Sequence, residues 1–194
     1  MYATISKTKK TLIDAARELF ASHGKNNTTM NDIAEASNKG RRTLYTYFKN
    51  KDEVYKAVIE NEVNIVMRAL SENAQRNIDP YEKLKSHIII HLESIKNSVT
   101  RNGTLRVDFF RDIYEVERTR RKMDTLELGL IQDILEEGIE KKEFKQTDTE
   151  VLSTIILYSL KGLEVPYIRQ NIPKFEENKE KIVEVIFKGI RRNH

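Results

Sequence analysis

Thr28-Thr-Met-Asn-Asp-Ile-Ala-Glu-Ala-Ser-Asn-Lys-Gly-Arg-Arg-Thr-Leu-Tyr-Thr-Tyr-Phe-Lys-Asn-Lys-Asp52 packs two short helix patterns, a tight turn and a basic, hydroxyl-rich face into one uninterrupted stretch. Thr28 and Thr29 precede apolar residues at Met30, Ile33, Ala34 and Ala36, and a threonine hydroxyl at that place can accept from an unpaired amide of the first turn. The spacing therefore predicts a helix beginning at Thr28 or Thr29. Ser37-Asn38-Lys39-Gly40 ends it, because Asn38 tolerates the left-handed conformation of a sharp turn and Gly40 adds further freedom. Leu44 and Phe48 then stand i, i+4 and anchor a second helix on Ile33. Arg41, Arg42, Thr43, Tyr45 and Tyr47 share the remaining surface.

That layout is a helix-turn-helix, and its outward residues suit a nucleic acid. An arginine fork grips guanine O6 and N7 or a phosphate, threonine can donate to a base edge, and tyrosine hydroxyls hold phosphate oxygens. The candidate DNA-contacting set is Thr28, Thr29, Arg41, Arg42, Thr43, Tyr45, Tyr47, Lys49 and Lys51. The residues do not decide which of Arg41 and Arg42 reaches a base, and an ordinary solvated face is the competing reading of the same pattern.

The segment resembles the N-terminal domain of the tetracycline-repressor (TetR) family of bacterial transcription regulators over roughly residues 6 to 58. The matching positions are Thr29, Ile33-Ala34, Thr43-Leu44-Tyr45-Thr46-Tyr47-Phe48 and Lys51-Asp52-Glu53-Val54. Asn38-Lys39-Gly40 stands where the family commonly has Gly-Val-Ser, and Arg42 where glycine or alanine is frequent, so operator preference does not transfer. The resemblance implies a homodimeric repressor that a small molecule, bound in the C-terminal part, releases from a double-stranded DNA operator.

Upstream, Leu12, Ala15, Ala16, Leu19 and Phe20 follow the spacing of an amphipathic helix that ends near His23-Gly24, and Lys7, Lys9 and Lys10 open it. These lysines reach toward a phosphate or form a solvated tail. Residues 1 to 55 hold ten Lys or Arg against six acids, a net of +4 that equals the charge of the whole 194-residue chain. The remainder is electrically balanced, so a basic head adjoins a neutral body, as expected when one end meets DNA.

With 39% hydrophobic and 33% charged residues the composition is that of a soluble globular protein. Zero cysteines exclude disulfides and thiolate chemistry. No apolar run approaches the roughly 20 residues of a bilayer span, and Met-Tyr-Ala-Thr-Ile lacks a signal-peptide layout, so a cytoplasmic protein with no membrane partner is expected. No nucleophile–base pair, complete metal set or phosphate loop is visible, which argues against an enzyme and against a cofactor.

Beyond Asp52 the pattern is helical throughout, with seven glycines and three prolines in the chain. The expected fold class is all-α: a three-helix helix-turn-helix domain over 1–52 and a helical effector-binding and dimerisation domain over 53–194. A long helix should run from Lys51-Asp52 to about Arg76, burying Val54, Val58, Val63, Val66, Met67 and Leu70, and another from Asp79-Pro80 to about Thr100. Further helices are expected over 104–121, 123–142, 148–170 and 174–191, with a break at Arg121-Lys122 and a kink or end at Pro166. Apolar rows at Val151, Ile155, Leu157, Leu160 and Leu163, and at Ile182, Val185, Ile186 and Ile190, form either a four-helix dimer interface or the core of one chain.

His87 and His91 lie i, i+4 with Leu84, Ile88 and Ile95, which turns both rings inward as pocket lining, a hydrogen-bonded core or dimer-contact pair, or an incomplete metal site. Phe109, Phe110, Tyr114 and Tyr158 either wall an apolar effector cavity or fill plain core, and Asp108 and Asp112 are candidate partners for a cationic ligand. The alternative function is a DNA-binding protein of the same fold with no small-molecule effector.

Overall fold

The computed structural model describes residues 5–102, 113–187 and 189–191, without the side chains of 113–120, 176, 182 and 185–187. Its helices are α1 (Lys7–His23), α2 (Met30–Ala36), α3 (Arg41–Tyr47), α4 (Lys51–Ala74), α5 (Pro80–Arg101), α6 (Ile113–Glu140), α7 (Thr149–Ile168) and α8 (Phe175–Phe187). The only extended pairing among the described residues is one antiparallel bridge between Phe144 and Arg191. Two compact units divide the chain: Met1–Ile65 with Ser98–Arg120, and Val66–Asn97 with Arg121–His194.

In the first unit each helix boundary has a chemical cause. Ser6 caps α1 by accepting from the Lys9 amide, and Gly24, at φ 82°, closes it with its own N–H on the Phe20 carbonyl. Thr29 and Asp32 form a reciprocal capping box at the start of α2. Asn38 adopts φ 52° and the Lys39 amide reaches back to the Ala34 carbonyl, so the turn is made as the sequence predicts. Gly40, by contrast, is extended and serves as the N-cap of α3. Asn50 accepts from the Glu53 amide, and Glu53 accepts from the Lys49 amide, so α4 starts on a second box.

Leu12, Ala16 and Phe20 of α1, Ile33 of α2, Leu44 and Phe48, and Val54, Tyr55 and Val58 of α4 make one buried cluster. Phe20 and Tyr55 meet edge-on at 5.8 Å. Of the positions expected to be buried on α4, only Val63 is half-buried. Near the far end of α5, Arg101 and Ser98 both donate to Glu62 Oε2 at 2.8 Å, satisfying a carboxylate that α4 carries inward.

In the second unit Asp79 Oδ1 accepts from the Tyr81 and Glu82 amides, with Pro80 in the first turn of α5. Tyr81, Leu84, Ile88 and Leu92 face Ile131, Ile134 and Leu135 of α6, Ile156, Leu157 and Leu160 of α7, and Val183 of α8. The break expected at Arg121-Lys122 does not occur, and α6 runs through it. Neither residue opposes a helix, and no glycine, proline or cap interrupts the ladder there. Positions 104–112 of the helix expected upstream lie outside the described residues.

α6 ends where Lys142 takes φ 61° and the amides of Glu143 and Phe144 both bond to the Gly138 carbonyl. The Phe144 ring, 2% exposed, lies on Gly138, where a Cβ would come within 2.7 Å of its Cγ. Asp148 caps α7 through the Val151 amide. Pro166 lies inside α7, which ends two residues later at Ile168, in line with the local end expected there.

Candidate nucleic-acid interface

Leu44 and Phe48 seat α3 in the head's core, with Tyr47 packed at its flank. Leu44 and Phe48, 0% and 3% exposed, point into the head's core, which turns the opposite side of a seven-residue helix outward. Arg41, Arg42 and Tyr45 are exposed, and neither guanidinium enters an ion pair among the described residues. Lys49 is exposed beyond the helix end, while Thr43 and Tyr47 are half-buried at its flanks. The Tyr47 hydroxyl accepts from Ser6 at 3.2 Å, which ties the strip before α1 to α3. Lys9 stacks over the Phe48 ring at 5.6 Å.

Thr29 is exposed, its oxygen accepting from the Asp32 amide at 3.2 Å while Asp32 accepts from the Thr29 amide at 2.8 Å. The bond from the Thr29 amide, and after it the Thr29 side chain, hold the Asp32 carboxyl below its ordinary value, so the box keeps a charged acceptor. Lys51 is half-buried with Nζ donating to the Asn26 carbonyl at 3.3 Å. Thr28 needs correcting: it is 1% exposed and its hydroxyl donates to the Gly24 carbonyl at 2.9 Å, so it braces the α1–α2 corner from beneath and presents nothing to a groove.

The second unit holds a polar cluster in its apolar core. Glu127 Oε1 accepts from His91 Nδ1 at 2.7 Å and His87 Nε2 at 3.1 Å, and His91 Nε2 donates to Glu164 Oε1 at 3.3 Å. His87, His91 and Glu127 are at most 1% exposed. Burial raises the Glu127 carboxyl, but hydrogen bonds from the two histidines outweigh it and bring the group down to about 2. Burial likewise lowers His91, and the bonds and charges of Glu127 and Glu164 overcome that and raise it to about 9. His87 Nδ1 and Glu127 Oε2 are left without a hydrogen-bond partner. A buried polar atom so placed costs about 1–3 kcal/mol.

Sequence reasoning found the two histidines and missed both carboxylates. The signal was present: Met123, Glu127, Ile131 and Leu135 step i, i+4 along the buried side of α6, so Glu127 interrupts a hydrocarbon row. Among the described residues no group of three or more His, Cys, Asp or Glu side chains is arranged to hold a metal ion.

Of the four residues of the expected cavity wall, only Tyr158 has a described side chain. Tyr158 is 64% exposed and faces away from the core, with Lys161 Nζ 5.7 Å from its ring. Asp108, Phe109, Phe110 and Asp112 lie outside the described residues, as does the Tyr114 side chain. The α7 row splits between two faces: Leu157 and Leu160 are buried and Leu163 half-buried, whereas Val151, Ile155, Tyr158 and Val165 are exposed. Ile182, Val185 and Ile186 of the α8 row lie outside the described side chains, and Ile190 is half-buried. Thr149–Ile168 is long and apolar enough to cross a membrane by length and composition, contrary to the reading that no run approached that length. Its surplus apolarity is accounted for by those two faces, one on the core and one on the surface.

Comparison with known proteins places both units. Residues 12–58 match the model for bacterial regulatory proteins of the tetR family, and residues 71–192 match the C-terminal region of QacR-like proteins. The chain is 25% identical over 191 residues to the uncharacterized HTH-type transcriptional regulator YhgD of Bacillus subtilis strain 168, covering 95% of this chain and 97% of that protein. It is 27% identical over 140 residues to the probable acrEF/envCD operon repressor of Escherichia coli K12, covering 69% of this chain and 61% of that protein. A transcriptional regulator from Cytophaga hutchinsonii superposes with a TM-score of 0.78 at 22% identity, covering 96% and 100% of the two chains.

Proposed function

Since the chain belongs to the tetR family of bacterial regulatory proteins, and is a DNA-binding transcription regulator rather than an enzyme, we propose that it is a cytoplasmic repressor released from its operator by a small molecule. In this reading residues 1–52 grip DNA and residues 53–194 receive the effector and pair two copies. Arg41, Arg42, Thr43 and Tyr45 enter a major groove, and Tyr47, Lys49, Lys51 and the Thr29 hydroxyl hold phosphates. One seven-residue helix reads too few base pairs, so two heads spaced about 34–36 Å apart act together. The exposed α7 row of Val151, Ile155 and Tyr158, spaced i, i+4, i+7, supports pairing through a shared helical bundle. The effector acts only through its different affinity for the gripping and released states.

The observation that carries this reading is the outward, ion-pair-free cationic face of α3 over a core-anchored Leu44–Phe48 edge. Duplex affinity measured against salt tests it. About three phosphate neutralisations per head, from Lys49, Lys51 and whichever of Arg41 and Arg42 does not read a base, set a slope of log affinity on log salt near −5 for two heads. A slope shallower than about −2 overturns it.

A further inference from the structure

The seat of α3 fixes which of its outward residues stands farthest from the protein. An α-helix turns about 100° per residue, so Arg42 and Thr46, two residues either side of the buried Leu44, each stand about 160° round from it. Thr43 and Tyr45 stand at about 100°, and Arg41 at about 60°, on the same side as the buried Phe48. Arg42 and Thr46 are both exposed, and they are joined, because Thr46 Oγ1 donates to the Arg42 carbonyl at 2.9 Å. The threonine has spent its one hydrogen on the main chain and has none for a base edge. With its oxygen laid against the backbone, its methyl is the part left for a partner.

We propose that Arg42 and Thr46 are the base readers of α3: Arg42 grips guanine O6 and N7, and the Thr46 methyl packs on the methyl of a thymine one or two base pairs away. The proposal rests on the reading that α3 enters a major groove, and it deepens that reading by dividing the helix between floor and walls. In a groove about 12 Å wide the side opposite the seat of the helix meets base edges, and its flanks meet phosphates. Arg41 is then a phosphate grip, although it carries the same guanidinium as Arg42. The two readers are about 6 Å apart along the helix, which at about 3.4 Å per step spans no more than about two base pairs. Thymine is the match for Thr46 because it alone of the four bases carries a methyl on its major-groove edge.

The test uses the full chain and a duplex that it enriches from a randomised library, with single atoms altered in one half-site. 7-Deazaguanine removes N7 from each guanine in turn, and uracil removes the methyl from each thymine. At one guanine the loss of N7 should weaken binding about tenfold for the natural chain and for Arg41→Ala, and leave Arg42→Ala unaffected. At one thymine within about two steps of it, uracil should weaken binding about fourfold for the natural chain and leave Thr46→Ser unaffected, since serine keeps the hydroxyl and drops the methyl. Each ratio compares two duplexes on one protein, so a variant that folds less completely leaves it unchanged. An N7 penalty abolished by Arg41→Ala, or unmoved by Arg42→Ala, overturns the proposal. So does a uracil penalty that persists in Thr46→Ser, or a half-site with no base sensitive to N7 or to the methyl. Any of these failures on a duplex bound with steep salt dependence leaves the regulator reading standing, whereas a chain that enriches no duplex removes both.

Discussion

Raising the pH is expected to take away the stabilisation that the buried His91 network supplies. Burial alone drives the imidazole toward its neutral form, but hydrogen bonds to Glu127 and Glu164 and both carboxylate charges hold it at about 9 against an ordinary 6.5. The folded chain thus binds this proton more tightly than the unfolded chain does. Its contribution is complete below pH 6.5 and is lost as pH rises through about 9. At 1.36 kcal/mol for each tenfold change in proton affinity, the loss is of order 3 kcal/mol. Glu127, brought from 4.5 to about 2, behaves in the opposite sense: its contribution is complete above pH 4.5 and fades as pH falls through about 2. The alkaline and acid limbs report the same His91–Glu127 pair and do not add. The assay is urea unfolding followed by circular dichroism at one protein concentration, for the natural chain and His91→Gln, from about pH 6 to about pH 9.5. The natural chain should lose about 3 kcal/mol more than the variant over that interval. Parallel curves for the two proteins would refute the reasoning.

Gly138→Ala should destabilise, although alanine is the better helix former by about 1 kcal/mol, because the new methyl meets the Phe144 ring and overpacking costs about 1–3 kcal/mol or more; a raised Tm in a thermal scan would count against that packing. Leu44→Ala removes the buried anchor of α3 and should cost about 2–5 kcal/mol of stability in urea, with duplex binding weakened alongside. Unchanged unfolding would mean that α3 is not seated by this side chain. Arg41→Ala or Arg42→Ala should cost about 1–3 kcal/mol on a selected duplex and less on a random one for whichever residue reads a base, while Lys51→Ala should weaken both duplexes alike. Equal losses for all three on both duplexes would show that readers and grips have been misassigned.

The head was legible because its boundaries are chemical. Thr29 caps, Asn38 turns left-handed, and Leu44 and Phe48 share an inward edge, each a local consequence of residue type. Thr28 was not, since two adjacent threonines before a helix look alike and only the path from Gly24 decides which hydroxyl is consumed indoors. The body was legible as helices but not as faces. Arg121-Lys122 reads as a polar interruption, yet two good helix formers do not break a helix. The α7 rows mix a core side with an outer side, which periodicity cannot separate when both are apolar. His87 and His91 announced themselves by spacing, whereas their carboxylates lie 36 to 73 residues away in sequence, at a distance local pattern cannot bridge.

The box at the start of α2 has an evolutionary corollary. The Thr29 and Asp32 amides are already committed to side chains within the box, so neither of these main-chain donors is available to a phosphate. On the proposed reading, the start of α2 then offers DNA its side chains in place of these two amides, on an unaltered scaffold. Such a reader can be reprogrammed by single codon changes at the outer positions of α3, with no repair of the backbone beneath, so paralogues sharing this architecture should diverge in target faster than in shape.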